Sequence, residues 1–292
     1  KMYITGQNSL SINEYNLSTA WDVSTASYSQ QFAINSQSAI SNDIAFNSTG
    51  TKFFILDSNT DKVFQYSMTT AWDVSTASYD SISFSVASQD SIPTDFYFKP
   101  DGTKMYVVGN GNDSVYQYST GTATSLDISS GTYFNYTPTA NTTFTFANAP
   151  ASGTAAGFAL AVTGANAGET YDIANASYDS KSFSVASQEA NPTGLAFKAD
   201  GTKMYISGYT TDYVYQYSLS TAWDVSTASY DNVSFDPTAQ GAQPYCIRFK
   251  PDGTSLFILI NQYDTIYQYT LSTAWDLSTA SYASKSLLVN SQ

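Results

Sequence analysis

Trp21-Asp22-Val23-Ser24-Thr25-Ala26-Ser27-Tyr28 is the phrase on which the reading of the fold turns. It returns at Trp72 and Trp223, and at Trp275 with Leu277 in place of Val. Trp21 and Trp72 stand 51 residues apart, and Trp223 and Trp275 stand 52 apart. A second phrase, Pro100-Asp101-Gly102-Thr103-Lys104-Met105-Tyr106-Val107, returns as Ala199-Asp200-Gly201-Thr202-Lys203-Met204-Tyr205-Ile206. Looser copies run from Ser48 to Ile55 and from Pro251 to Ile258, and Lys1-Met2-Tyr3-Ile4 matches the tail of another. A fixed period of this length signals a repeat architecture.

Each unit reads as four short strands. The first resembles Thr94 to Lys99 and leads into a Pro-Asp-Gly-Thr turn, where glycine supplies the positive φ that the turn needs. The second is Lys104 to Val108. The third is Ser114 to Tyr118, with copies at Lys62 to Tyr66, Tyr213 to Tyr217 and Thr265 to Tyr269. The fourth follows the Trp-Asp phrase, as in Ser81 to Val86. Four strands in about 50 residues is the unit of a propeller blade. No stretch sustains the 3.6 period of a helical solenoid. The expected fold is therefore an all-β propeller of four-stranded blades, with about five blades visible. Only four first strands are present, ending at Phe46, Phe98, Phe197 and Phe249, so the first blade lacks its innermost strand. The expectation is a longer parent protein whose missing strand precedes Lys1, or a ring with more blades.

The register breaks once. Tyr118 to Tyr171 spans 53 residues where Tyr66 to Trp72 spans six, and Tyr171-Asp172-Ile173-Ala174-Asn175-Ala176-Ser177-Tyr178 then restores the phrase. The chain divides into propeller blades over 1–120, an inserted β module over 121–170 and further blades over 171–292. The insert has its own strand pattern at Tyr133 to Tyr136 and Thr142 to Phe146, a turn at Pro150 and an apolar run from Phe158 to Val162. That pattern suggests a small β-sandwich-like unit.

The Pro-Asp-Gly-Thr-Lys-Met-Tyr repeat, with Val115-Tyr116-Gln117-Tyr118 and the Thr-Ala-Trp-Asp-Val phrase, resembles propeller repeats of tail-fibre and virion proteins of marine phages. Similar propellers occur in bacterial surface proteins. Thr142-Thr143-Phe144-Thr145-Phe146-Ala147-Asn148-Ala149-Pro150 resembles a segment common in phage tail proteins. The resemblance implies a receptor-binding or adhesion role on a virion or extracellular surface. It carries no set of functional residues to this chain.

Composition narrows the chemistry. The 24 Tyr and 17 Phe suit pleated, half-buried surfaces. A net charge of −13 with a single arginine repels phosphate backbones, which argues against nucleic acid as a partner. No apolar stretch reaches the roughly 20 residues of a helical membrane span, so membrane insertion is not expected. The absence of histidine removes Ser-His-Asp triads and histidine metal sites. A single arginine, Arg248, cannot form the cluster of a sialidase-like propeller. Cys246, in the apolar run Tyr245-Cys246-Ile247, has no partner for a disulfide and reads as a packed hydrophobe. A glycosidase needs two carboxylates about 5–10 Å apart; most aspartates here recur from blade to blade and read as turn devices. The Trp-Asp phrase itself reads as structure, with Trp packed across a blade edge and Asp bonded to turn backbone.

Loops that vary between blades are the better binding candidates. Tyr209, Asn110, Asn112, Tyr263, Asp212 and Asp264 lie between second and third strands, and Tyr245 adjoins an inter-blade loop. In a propeller these two loop sets share one face. Aromatic rings beside amides and carboxylates there suit a cell-surface glycan or protein. Calcium takes oxygen ligands, and Asp43 and Asp95 open equivalent first strands, which makes them metal candidates; no other cofactor is expected. Two alternatives stand beside adhesion: a structural spacer or decoration docked to neighbouring virion subunits, and a polysaccharide-active enzyme.

Overall fold

The computed structural model describes residues 1–6, 9–127, 133–136, 142–147, 159–162 and 171–289. Blade 1 is built from β1 (Met2–Thr5), β2 (Ser11–Leu17) and β3 (Ala26–Ala33). Blade 2 holds β4 (Ser41–Phe46), β5 (Lys52–Asp57), β6 (Lys62–Met68) and β7 (Ala77–Ser85). Blade 3 begins with β8 (Pro93–Phe98), β9 (Lys104–Gly109) and β10 (Ser114–Ser119). The insert then contributes β11 (Thr122–Asp127), β12 (Tyr133–Tyr136), β13 (Thr142–Ala147) and β14 (Ala159–Val162), and β15 (Ser177–Ser184) completes blade 3. Blade 4 comprises β16 (Pro192–Phe197), β17 (Lys203–Gly208), β18 (Val214–Leu219) and β19 (Ala228–Phe235). Blade 5 comprises β20 (Pro244–Phe249), β21 (Ser255–Ile260), β22 (Thr265–Leu271) and β23 (Ala280–Leu288).

Blades 2 to 5 are four-stranded antiparallel sheets and blade 1 is three-stranded, as the sequence implies. There is no α-helix among the described residues. Within the insert, β11 pairs with β13 and β12 with β14, each pair parallel. The turn expected at Pro150 lies outside the described residues.

The fourth strand starts earlier than the sequence suggested, at Ala77 rather than Ser81. The reason is local. Asp73 caps a single 3-10 turn, Val74–Thr76, by accepting from the Ser75 backbone N–H, and the chain re-enters the sheet at once. The strand then bulges beside Ser81, whose φ is 59°, and the same bulge recurs at Ser180, Asn232 and Ser284.

Core side chains lie between blades rather than within them. Phe54 and Leu56 of blade 2 pack on Phe96 and Phe98 of blade 3. Tyr106 and Val108 of blade 3 pack on Leu195 and Phe197 of blade 4, and Tyr205 of blade 4 packs on Ile247 and Ile258 of blade 5. The 3-10 turns rivet neighbours together: the buried Val225 amide donates to Gln117 Oε1 of blade 3 at 3.2 Å, and the Leu277 amide to Gln216 Oε1 of blade 4 at 3.1 Å.

The ring closes after five blades. The Val23 amide of blade 1 donates to Gln268 Oε1 of blade 5 at 3.3 Å, and Lys285 of blade 5 pairs with Asp22 of blade 1 at 2.7 Å. These are the contacts that join the other blades, so the alternative of a ring with more blades is set aside.

Three of the four tryptophans take the structural role expected of them. Trp72, Trp223 and Trp275, with Tyr171 in the same place, lie over Gly50, Gly201, Gly253 and Gly102 of the tight turn in their own blade. Each of these four aromatic residues belongs to the recurring phrase, and each of the four glycines has φ near +70°. The backbone of Trp72, Trp223 and Trp275 is itself left-handed, with φ between 62° and 67°, and its carbonyl accepts from the preceding blade's tyrosine hydroxyl at 2.6–2.7 Å.

Candidate functional site

Two loop sets do share one face, and buried carboxylates tie them together. Asp57 accepts from the Ala39 and Ile40 amides of the inter-blade loop and from the Thr60 amide and hydroxyl of the β5–β6 loop. Asp90 accepts from Ile92, Gly111 and Asn112 amides. Glu189 accepts from Asn191, Thr210 and Thr211. A carboxylate that accepts several N–H donors has its lone pairs occupied by those bonds. These three acids are therefore committed to loop geometry.

The candidate binding residues separate into two groups. Asn110 donates to Asn191 Oδ1 at 2.7 Å, Asn112 donates to the Gln89 carbonyl at 2.8 Å, and Asp212 accepts from the Gln243 amide at 2.8 Å. These three brace loops. Tyr209, Tyr245 and Asp264 instead line a cavity of about 850 Å³ at the seam between blades 5, 1 and 2. The Tyr209 and Tyr245 rings sit 6.0 Å apart, tilted by 48°. The Tyr245 hydroxyl donates to Asn42 Oδ1 at 3.0 Å. Burial pushes the Tyr209 phenol up to about 12, so it remains a neutral donor at physiological pH. Tyr263, in the short 3-10 turn after β21, is half exposed on the loop face.

Asp43 and Arg248 of the cavity wall belong to a charge cluster that sequence reasoning missed. The guanidinium of Arg248 on β20 bonds Asp43 of β4 at 2.6 Å and both oxygens of Asp95 of β8 at 3.1 and 3.2 Å. Asp95 also accepts from the Leu195 amide at 2.7 Å. Asp43 and Asp95 were the calcium candidates; the cation between them is an arginine. Its five donors satisfy two carboxylates at once. Among the described residues no group of three or more acids, cysteines or histidines is placed to hold a metal. Burial raises the Asp43 carboxyl well above its usual range; Arg248 opposes this and Asp95 adds to it. The only hint in the sequence was compositional: one arginine in the whole chain, placed where the other inner strands carry Ala45, Tyr97 and Ala196.

Cys246 also faces this region and is half-buried rather than enclosed. Burial raises its thiol above its ordinary range, in the direction of the protonated form.

The architecture defines a closed five-bladed β-propeller with an open seam beside its axis. Solved structures share the general fold. A candidate 6-phosphogluconolactonase from Bacteroides uniformis superposes with a TM-score of 0.50 at 12% identity, over 98% of this chain and 70% of its own. A protein of unknown function from Desulfotomaculum acetoxidans gives a TM-score of 0.50 at 10% identity, over 97% and 78%. At this identity the likeness concerns the fold alone. The sequence matches no protein-family model and no curated protein.

Proposed function

We propose that this propeller is a non-catalytic binding protein of an extracellular surface, a phage tail fibre or another virion or bacterial surface component, which holds a cell-surface glycan or protein on its loop face. One observation carries the reading. Three acids of that face, Asp57, Asp90 and Glu189, are committed to bracing loops, while the Tyr263 ring lies at the surface and the Tyr209 and Tyr245 rings line the mouth of the seam. Asp57, Asp90 and Glu189 each gather backbone donors. Tyr263 presents its ring to solvent, and Tyr209 and Tyr245 frame the opening beside Asn42 and Asn261. Sites that recognise a neutral ligand combine apolar and aromatic walls with a few placed polar groups. The net charge of −13 disfavours an anionic partner. The phage likeness of the repeat supplies the surface setting, and Asp43 and Asp95, neutralised by Arg248, are poorly placed to act as an acid–base pair.

Binding to a glycan array and to whole cells tests this. Tyr263→Ala and Tyr209→Ala are expected to weaken binding at least about tenfold, the loss typical of an interface anchor. Unchanged binding by both variants would move the site off this face. A lactonase or glycosidase activity in the purified chain would replace the reading with an enzymatic one.

A further inference from the structure

Ion pairs avoid the loop face. Lys99, Lys198 and Lys250 pair within the Asp-Gly-Thr turns of the opposite face, with Asp101, Asp200 and Asp252. Lys104 and Lys203, beside those turns, pair with Asp179 and Asp231 of the outer strands, and Arg248 pairs at the axis. On the loop face of blades 2 and 3 stand Asp57, Asp61, Asp90 and Asp113. None of them belongs to an ion pair. Among the described residues Lys62 is the one cation at this end of the two blades, and it pairs with none of the four acids. These acids crowd one another. Burial, then the charges of Asp90 and Asp57, raise the Asp61 carboxyl. Burial, then Asp90 and Glu189, raise that of Asp113. The five acids therefore form a row of like charges across the two blades.

Apolar side chains stand on the same row. Ile40 and Ile92 hold equivalent places just before β4 and β8, and they are 36% and 47% exposed. Asp57 accepts from the Ile40 amide and Asp90 from the Ile92 amide, each at 2.8 Å, so each isoleucine is seated on a carboxylate. Asn42 donates to the Pro93 carbonyl at 2.8 Å, which sets the two loops side by side. Blades 4 and 5 carry Asn191 and Gln243 at this place, so the apolar pair belongs to blades 2 and 3. Exposed apolar side chains rimmed by charge mark surfaces that bind protein.

We infer that the loop face of blades 2 and 3 docks a basic polypeptide segment, whose lysine or arginine side chains meet Asp61 and Asp113 and whose apolar side chains cover Ile40 and Ile92. Charge complementarity selects this occupant. Cations placed on the row relieve repulsion that the folded chain leaves uncompensated, and opposite potentials steer such a partner to this face. A neutral glycan would leave the row as it is. The inference rests on the reading of the loop face as the binding face, and it narrows the partner from glycan or protein to a basic polypeptide.

The probe is the capped peptide Lys-Leu-Lys-Leu-Gly-Lys-Leu-Lys, titrated into the 292-residue chain. Asp61→Asn with Asp113→Asn removes two charges and keeps the left-handed backbone of both sites, which asparagine tolerates. This pair is expected to weaken binding about fivefold to tenfold, as the loss of two partly exposed charge contacts does. Ile40→Ser with Ile92→Ser is expected to weaken it at least about tenfold through lost apolar burial. Asp101→Asn with Asp200→Asn makes the same charge change on the opposite face and is expected to alter binding less than about twofold, because salt screens distant charges. Equal effects of the two charge pairs would overturn the inference, since the peptide would then follow net charge alone. So would equal binding of a peptide with serine for every leucine. A neutral glycan held through Tyr263, with affinity indifferent to Asp61 and Asp113, would also overturn it while leaving the loop-face reading intact. Peptide binding that needs Ile40 and Ile92 but survives Tyr263→Ala and Tyr209→Ala would support the inference and remove the tyrosines from the site.

Discussion

Replacing Arg248 by Met is expected to destabilise the folded chain by about 3 kcal/mol at neutral pH. Removing one partner of a buried ion pair costs about 3–5 kcal/mol, because the remaining charge loses its counter-ion without regaining water. Here two carboxylates are stranded, Asp43 and Asp95, but about a third of the Arg248 side chain faces the cavity, which places the loss at the low end. The sign with pH follows from Asp43. Its folded-state carboxyl holds a proton more tightly than the unfolded one, because burial raises it. Stability is therefore fully present below the ordinary carboxylate range and declines as pH rises through the folded value. Without Arg248 that decline is expected to steepen, so the variant recovers stability as the medium is acidified towards pH 4. Asp43→Asn alone is expected to change stability by less than about 1 kcal/mol, since it leaves one guanidinium facing one carboxylate. Added to Arg248→Met, it is expected to restore part of the loss. Denaturant titration at several pH values reads all three. An Arg248→Met variant as stable as the parent at pH 8 would show that the cluster is solvated.

Gly201→Ala is expected to cost about 3 kcal/mol. Gly201 holds φ at +74°, where an L-residue is strained by about 1–2 kcal/mol. Its added Cβ would also stand 2.4 Å from ring atoms of Trp223, and such overpacking costs about 1–3 kcal/mol. Trp223→Ala removes the ring that packs on Phe197 and Tyr106, and is expected to cost about 3 kcal/mol. The informative variant is the double one. With the indole gone the new methyl has room, so the two losses are expected to fall short of additivity by at least about 1 kcal/mol. Thermal denaturation of the four proteins measures the coupling. Strict additivity would mean that the ring is not the obstacle. Trp21→Ala is the contrast: Trp21 covers no glycine turn and is 45% exposed, so its loss is expected to be under about 1 kcal/mol.

The candidate site was legible in part. Their positions next to variable loops single out Tyr209 and Tyr245 as loop-face aromatics, and the structure brings the two rings together from neighbouring blades. Asn110, Asn112 and Asp212 carried the same outward signal of short polar residues in loops. Their side chains bond backbone or a neighbouring amide instead, which is the common fate of Asn and Asp in turns. Residue type cannot separate a brace from a free donor, because both use the same groups.

The propeller itself was readable because its code is local. Strand alternation, the Asp-Gly-Thr turn and the capped phrase beginning Trp21-Asp22 act over a few residues and repeat, so each copy checks the others. The three strands of the first blade could be counted in the same way. Ring closure, the Arg248 cluster and the cavity required coordinates. Arg248 meets Asp43 across a separation of 205 residues and Asp95 across 153. Such contacts depend on how far each blade rotates about the axis, and no local pattern of residues encodes that angle.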